Sequence, residues 1–256
     1  MTAHSKSTQS LSAHSLRTSR LALTGFSLSV VCALLASLAG FGSRWGLWHF
    51  RVGLIIMIGV LLGGLVAVVL SLIGATVTRQ GGSRRGLVWA LLGLLIGLVV
   101  VGLPLSLVIR GRRVPPIHDI TTDTETPPPF VAILPLRQGV DNPSEYGGAE
   151  IARQQRIAYP NVAPLMLDVT PEQSFERALT AARDMGWEIV EANPREGRIE
   201  ATATTFWFGF KDDVVIRITP AGGGSRIDVR SVSRVGTSDV GANAKRIETF
   251  LHKLGR

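Results

Sequence analysis

Three long apolar runs separated by short polar turns constrain the fold of this chain more than any other feature. They cover residues 21–42, 52–77 and 87–109, and none of them contains Asp, Glu, Lys or Arg. At about 1.5 Å rise per residue, a helix of each length would cross a hydrocarbon core of roughly 30 Å. The sequence therefore predicts an α-helical membrane anchor of three transmembrane helices over residues 21–110. Residues 1–20 are polar without an apolar period, which predicts a disordered tail.

The first run has a competing interpretation as a cleaved signal peptide, because Ser37–Ala39 could serve as a small-residue cleavage site. Apolar regions of signal peptides span about 7–15 residues, and this run is longer. We therefore favour a retained helix. With no Asp, Glu or Lys inside any run, a transporter or pump is not expected, because ion and proton pathways normally need such groups.

Charge divides the chain into two chemically different halves. The nine Lys and Arg residues before Gly111 meet no acidic residue, whereas the 18 after it face all 19 Asp and Glu. The formal net charge of +8 therefore belongs to the membrane half, and the expected partner of that half is the lipid bilayer. A nucleic acid is not expected as a partner, because the second half has no net positive field to attract a polyanion.

The only cysteine, Cys32, lies inside an apolar run, which excludes a disulfide framework and a thiolate zinc site. No motif for a metal or a cofactor is present, so none is expected. Small residues four apart, at Gly59 and Gly63 and at Gly93 and Gly97, predict close helix packing. We favour packing within one chain over a homodimer through these helix faces.

Basic residues in the turns give a narrow preference for one membrane orientation. Six lie on the side of the N-terminus and five on the other side, which favours a cytoplasmic N-terminus. We therefore expect a multi-pass protein of a bacterial inner membrane with its C-terminal domain in the periplasm.

The second half of the chain begins with a Pro-rich linker or arm over residues 111–135, followed by a soluble domain over 136–256. Thr170 and Pro171 predict the start of a helix, and a second helix is predicted from Ser238. Between them, alternation and turn residues predict strands near 187–191, 198–206, 214–218 and 226–234. The expected fold is an α+β domain, in which an antiparallel four-stranded sheet carries two helices packed on one face.

The other face of this sheet is expected to be polar, and the Pro-rich arm is a candidate to cover it. Polar side chains are densest between Phe208 and Ile247. The candidate ligand-binding or structural polar cluster comprises Lys211, Asp212, Asp213, Arg217, Arg230, Ser233, Arg234, Ser238, Asp239, Asn243 and Arg246.

The run SRVGTSDVGANAKRIE at Ser233–Glu248, preceded by FGFKDDVVIRI and RIDVRS, resembles the signature of the DUF1499 family, a domain of unknown function. The resemblance extends from about His118 to Leu254. It implies an envelope or organelle-lumen domain, often tethered to a membrane, with no agreed activity. Ala244-Lys245 stands where many members have an Arg-rich pair. The motif positions that carry over are Asp212, Asp213, Arg230, Ser233, Arg234, Gly236, Ser238, Asp239, Gly241, Asn243 and Arg246.

Two interpretations of the cluster remain open. As a scaffold, Ser238 or Asp239 caps the last helix, and Arg234 or Arg246 pairs with Asp212 or Asp213. As a site, arginines near a helix N-terminus bind a carboxylate or phosphate group. The expected function is non-catalytic binding of an envelope partner protein, an anionic small molecule or a lipid headgroup. The alternative is a hydrolase-like enzyme that uses Asp212/Asp213 and Arg230/Arg234, although neighbouring strand residues point to opposite faces.

Overall fold

The computed structural model describes residues 17–79 and 84–255. The predicted disordered tail therefore lies outside the described residues, apart from its last four positions. The described chain divides into two compact units. The first contains the residues up to Leu38 together with Leu54–Leu103, and the second contains Ala39–Gly53 together with the residues from Pro104 onward.

Three long helices are present where the sequence predicts them. They are α1 (Arg20–Arg44), α2 (Phe50–Thr78) and α3 (Leu87–Gly111). Each is long and apolar enough to cross a membrane. Most of their large apolar side chains remain exposed on the protein surface, as expected for helices whose outer face contacts lipid hydrocarbon.

Small residues let these helices approach one another closely inside the first unit. A Cβ atom at Gly93 would lie 2.8 Å from Cα of Phe26, and one at Gly63 would lie 2.9 Å from Sγ of Cys32. A Cβ at Gly97 would likewise crowd Val68, whereas one at Gly59 would meet no described atom within 4 Å. Three of the four predicted glycines therefore serve packing within the chain, and the homodimer stays a prediction.

The second unit contains an antiparallel sheet of six strands, so the prediction of four was wrong. The strands are β1 (Asp119–Thr121), β2 (Leu165–Leu167), β3 (Glu188–Asn193), β4 (Arg198–Thr204), β5 (Lys211–Ala221) and β6 (Gly224–Ser233). Their order is β1-β6-β5-β4-β3, and β2 also pairs with β6. The two additional strands have three residues each, too few to show an alternating pattern. A two-residue turn at Gly222-Gly223, both with positive φ, joins β5 to β6.

Four further helical segments complete this unit: a 3-10 helix (Leu134–Arg137), α4 (Gly148–Ala158), α5 (Pro171–Asp184) and α6 (Ala242–Leu254). Thr170 caps α5 as predicted, because its Oγ accepts the N–H of Gln173. The last helix begins at Ala242 and not at Ser238, because Val240 and Gly241 adopt left-handed φ angles. The α4 helix lies along β1, where Gln155 exchanges two hydrogen bonds with the backbone of Thr121.

One face of the sheet is apolar and is covered by α5 and α6, and α4, which the prediction of two helices did not include, also packs against this core through Ile151. Ile216, Ile227 and Val229 point to this face and are completely buried. They pack with Phe175 of α5 and with Phe250 of α6, whose ring stacks on Trp187 at 5.3 Å. Burial of apolar area on this face supplies the main stabilisation of the domain.

The opposite face is covered by residues 122–145, which we call the arm. Phe130 and Ile133 of the arm pack on Val215 and Val232 of the sheet. Around this small apolar group, the arm meets the sheet through charged and polar side chains. The predicted Pro-rich linker is therefore in large part an integral layer of the domain.

Candidate functional site

The polar cluster is divided between the two faces of the sheet, because alternate residues of a strand point in opposite directions. Asp212 points to the helix face and Asp213 points to the arm face. Their carboxylates consequently bind different arginines. On the helix face Asp212 accepts a 2.5 Å hydrogen bond from Arg246. On the arm face Asp213 binds both Arg137 and Arg234.

On the helix face, the motif residues hold the start of α6 against β6. Asn243 donates to Oγ of Ser233 at 3.0 Å and to the carbonyl of His118 at 2.9 Å, and it accepts from Oγ of Ser231 at 2.7 Å. Arg246 also donates to Ser231. All these polar groups are satisfied by other groups of the same domain, as buried polar groups in native proteins normally are.

The N-terminus of α6 is occupied by the chain's own carboxylate. Asp239 accepts the N–H groups of Gly241 and Asn243, both at 2.8 Å, as the scaffold interpretation predicts for a capping residue. Burial raises the pKa of Asp239, and these two backbone hydrogen bonds oppose that rise. Ser238 accepts the N–H of Val240 and does not cap the helix.

On the arm face, arginines of the sheet bind three carboxylate groups, one in the arm and two in the sheet. Arg230 binds Asp119 through two hydrogen bonds of 2.7 and 2.9 Å, and its guanidinium lies 5.0 Å from the ring of Phe130. Arg217 and Arg226 both bind Asp123 and Asp228. The pKa of Asp123 is lowered, because hydrogen bonds and the two arginines outweigh the effect of its burial.

Glu200 holds the arm in a way that the sequence did not indicate. Its carboxylate is completely buried and accepts three backbone N–H groups, from Val131, Ala132 and Ile133, at 2.9–3.1 Å. Nε of Arg198 lies 2.9 Å from the same carboxylate, and its guanidinium also pairs with Glu191 and Glu196. Glu200 therefore fastens the arm to the centre of the sheet.

A separate cleft of about 330 Å³ lies at one end of the sheet, and we call it the basic cleft. Its cationic side chains are Lys211 and Arg234, which are neighbours across β5 and β6, where the N–H of Arg234 bonds the carbonyl of Lys211. Aromatic rings form much of the wall. The lining residues are Ser43, Trp48, His49, Phe50, Val140, Phe208, Gly209, Phe210, Lys211, Arg234 and Val235.

The rings of the cleft are fixed by contacts with one another. Phe208 and Phe210 stack with their ring planes 7° apart and their centroids 5.4 Å apart, and Phe50 meets Phe210 edge-on at 5.5 Å. Arg44 holds the same loop by donating to the carbonyls of Thr205 and Phe206. The wall of the cleft is therefore preorganised by contacts within the protein.

Charge in the cleft is not balanced by the residues the structure describes. Arg137 and Arg234 share one carboxylate, Asp213, which leaves one positive charge in excess. Lys211 is exposed and has no carboxylate within ion-pair distance among the described residues. Arg234 uses Nε and Nη2 for Asp213 and Thr202, so its Nη1 remains available.

The predicted residues thus fall into three places. The residues that hold α6 are Asp212, Ser233, Asn243 and Arg246. The residues that hold the arm are Asp213, Arg217, Arg230 and Arg234. The cleft is lined by Lys211 and Arg234. No group of three or more His, Cys, Asp or Glu side chains in residues 17–79 and 84–255 is arranged to hold a metal ion. Sequence reasoning missed Arg137, Asp119 and Glu200 as partners, and it missed the contribution of the turn at Trp48–Phe50 to the cleft.

Comparison with known proteins identifies a family for this chain but does not indicate an activity. The family model described as Protein of unknown function (DUF1499) matches residues 119–254, which is just over half of the chain. This match confirms the resemblance seen in the motif, and it begins at β1. No curated protein matches the chain.

Proposed function

The chain belongs to the DUF1499 family of proteins of unknown function, and we propose that it is a membrane-anchored, non-catalytic domain that binds the phosphate group of an anionic membrane lipid in the basic cleft. The observation that carries this proposal is the pair of neighbouring cations, Lys211 and Arg234, in a cleft whose wall is formed in large part by aromatic rings. No Asp or Glu lines this cleft.

The cation pair favours a compensating anion. Like charges directly opposite each other on neighbouring strands are destabilising, and Asp213 neutralises only part of the charge because it also serves Arg137. A phosphate oxygen between Nζ of Lys211 and Nη1 of Arg234 would form charge-assisted hydrogen bonds with both. The cleft therefore favours an anionic group over a neutral one.

The aromatic walls favour an amphiphile over a small hydrophilic anion. Phe208, Phe210 and Phe50 offer apolar surface for the glycerol and upper acyl portion of a lipid, next to the cations that would bind its phosphate. Trp48 and Phe50 flank the turn between two helices that could span a membrane. Aromatic residues at such positions sit at the level of lipid headgroups, where anionic lipids are available.

The hydrolase alternative has no observation in its favour. Asp212 and Asp213 point to opposite faces of the sheet, and Arg230 binds Asp119 away from both of them. A pair of carboxylates acting as acid and base would have to approach the same substrate bond. Among the four, Asp213 and Arg234 form an ion pair, and Asp212 and Arg230 contact other residues.

A lipid-binding measurement tests the proposal on the full-length protein purified in detergent. Native mass spectrometry with added phosphatidylglycerol or phosphatidylcholine should show preferential retention of phosphatidylglycerol. Lys211→Gln should weaken that retention about tenfold, because one charge-assisted contact is lost. Lys245→Gln, which changes an exposed lysine of α6, is the matched control and should leave it unchanged.

The outcomes separate the ligand classes. Equal retention of the two lipids, or equal loss in the two variants, would overturn the proposal. Displacement of the lipid by inorganic phosphate at similar concentration would identify a soluble anion as the ligand. Retention of neither lipid would direct attention to a partner protein.

We also propose that the domain is periplasmic in a bacterial inner membrane, with a cytoplasmic N-terminus. The support is the distribution of basic residues among the turns, six against five. A fusion of alkaline phosphatase after Arg256 should be active, and a fluorescent protein at the same position should be dark. The opposite pattern would invert the orientation and place the cleft at the cytoplasmic leaflet.

A further inference from the structure

The loop between β4 and β5, Thr205-Phe206-Trp207-Phe208-Gly209-Phe210, places four aromatic residues within six positions. Most of these rings are at least half-buried against the same unit. Phe206 is the exception, because 78% of its surface is exposed. A single exposed ring is common on protein surfaces, but a ring that belongs to a larger exposed apolar patch marks a surface that meets an apolar partner.

The loop is attached to the last turns of α1 and to the residues that follow it. The ring of Trp207 lies on Gly40, where a Cβ atom would be only 2.7 Å from an indole carbon. Phe206 meets the ring of Phe41 edge-on at 5.4 Å, and Arg44 donates to the carbonyls of Thr205 and Phe206. These contacts fix the position of Phe206 relative to the end of α1.

The exposed apolar surface continues from Phe206 onto the turn between α1 and α2. Trp45, which stacks on Phe41, is 67% exposed, and Leu47 is 63% exposed. This turn connects two helices that are long and apolar enough to cross a membrane. A turn at that position lies in the interfacial region of the bilayer, the region in which Trp and amphipathic aromatic surfaces are enriched.

We propose that the β4–β5 loop embeds the ring of Phe206 in the interfacial region of the lipid bilayer, next to Trp45 and Leu47. The occupant of this surface is lipid, because the patch is continuous with the ends of two candidate membrane spans. The guanidinium of Arg44 satisfies the loop carbonyls, so that little unpaired backbone accompanies the ring into the membrane. This inference does not depend on whether the basic cleft binds a ligand.

The test measures the immersion depth of spin labels in the full-length protein in phospholipid nanodiscs. Cys32→Ala removes the only native cysteine, and single labels are placed by Phe206→Cys, Leu47→Cys and Ile157→Cys. Leu47 marks the turn, and Ile157 on α4 is a matched control that is 71% exposed. Accessibility to oxygen, which partitions into lipid, is compared with accessibility to a water-soluble nickel chelate.

The label at position 206 should collide more with oxygen than with the nickel chelate, as the label at 47 should. The label at 157 should show the reverse. If the label at 206 behaves like the one at 157, the loop faces water and the proposal is overturned. Low collision with both reagents at 206 would indicate a protein contact in place of lipid, and it would overturn the proposal as well.

Discussion

The two faces of the sheet are stabilised by different kinds of interaction, although they belong to the same four long strands. The helix face is largely apolar, with Ile216, Ile227 and Val229 covered by α5 and α6, and its polar contacts are grouped at the start of α6. The arm face has only a small apolar group around Phe130, and the rest of the contact consists of ion pairs and hydrogen bonds.

This difference determines how each face tolerates change. Apolar packing loses stability gradually, in proportion to the atoms removed and to the cavity left behind. A buried ion pair adds little net stability when it is intact, but removal of one partner leaves an unpaired buried charge. Single substitutions of ion-pair residues on the arm face are therefore expected to cause large losses of stability, whereas substitutions in the apolar core of the helix face should cause graded losses. The DUF1499 motif residues Arg230 and Arg234 lie on the arm face.

The largest expected effect is that of Asp213→Asn. The change leaves the guanidiniums of Arg137 and Arg234, which are 3% and 12% exposed, without a carboxylate. The loss in stability should be about 3–5 kcal/mol, seen as a large fall in melting temperature of the full-length protein in detergent. Glu196→Gln, at an exposed carboxylate that also meets an arginine, is the control. A small loss for Asp213→Asn would show that the arm does not depend on this charge.

A smaller and more local effect is expected for Glu200→Gln. The amide keeps one oxygen for the N–H groups of residues 131–133 but loses the charge that strengthens those bonds, and it places an N–H₂ group next to them. The cost should be about 2 kcal/mol. Hydrogen exchange should accelerate at residues 131–133 while exchange in α5 stays slow. Uniform acceleration in both segments would contradict the assignment of Glu200 to the arm.

On the helix face, Ile216→Val should cost about 1 kcal/mol, because one buried methylene is removed from a well-packed core. Ile216 neighbours Val215, which faces the arm, so the change probes only one side of the strand. Exchange of the arm amides should remain at the wild-type rate. A change in their exchange comparable to that of Glu200→Gln would show that the two faces are not independent.

The smallest expected effect is a change in stability at acidic pH. The folded-state pKa of Asp123 is lowered from 3.8 because hydrogen bonds and Arg226 and Arg217 outweigh its burial. Its contribution to stability is therefore fully present above pH 3.8, the unfolded-state value, and is lost as the pH falls below 3.8 and through the lower folded-state pKa. The stability difference between the wild type and Asp123→Asn should narrow as the pH falls below 3.8. A constant difference would show that the charge of Asp123 has no role.

The helix face could be read from the sequence because its signals are local. Thr170 and Pro171 predicted the start of α5, and the alternation around Ile227 and Val229 predicted the buried side of β6. Opposite orientations of Asp212 and Asp213 also followed from strand geometry alone. These inferences need only the periods of helices and strands.

The arm face could not be read in the same way, because its partners are far apart in the chain. Asp119 and Arg230 are separated by 111 positions, and Arg137 and Asp213 by 76. No local period marks such a pair. The strand β1 was missed for a related reason, since three residues inside a Pro-rich segment carry no alternation. The basic cleft needed the turn at Trp48–Phe50 to meet a loop about 160 residues later.

The central claim is that Arg234 belongs to the scaffold as well as to the basic cleft, whereas Lys211 serves anion binding alone. The most direct test compares Arg234→Gln with Lys211→Gln by thermal unfolding of the full-length protein in detergent, with and without phosphatidylglycerol. Arg234→Gln should lower the melting temperature without lipid. Lys211→Gln should leave that temperature unchanged and should remove the stabilisation by lipid. The claim is contradicted if Arg234→Gln keeps the wild-type melting temperature and loses only the lipid effect, because Arg234 would then serve binding alone and not the scaffold.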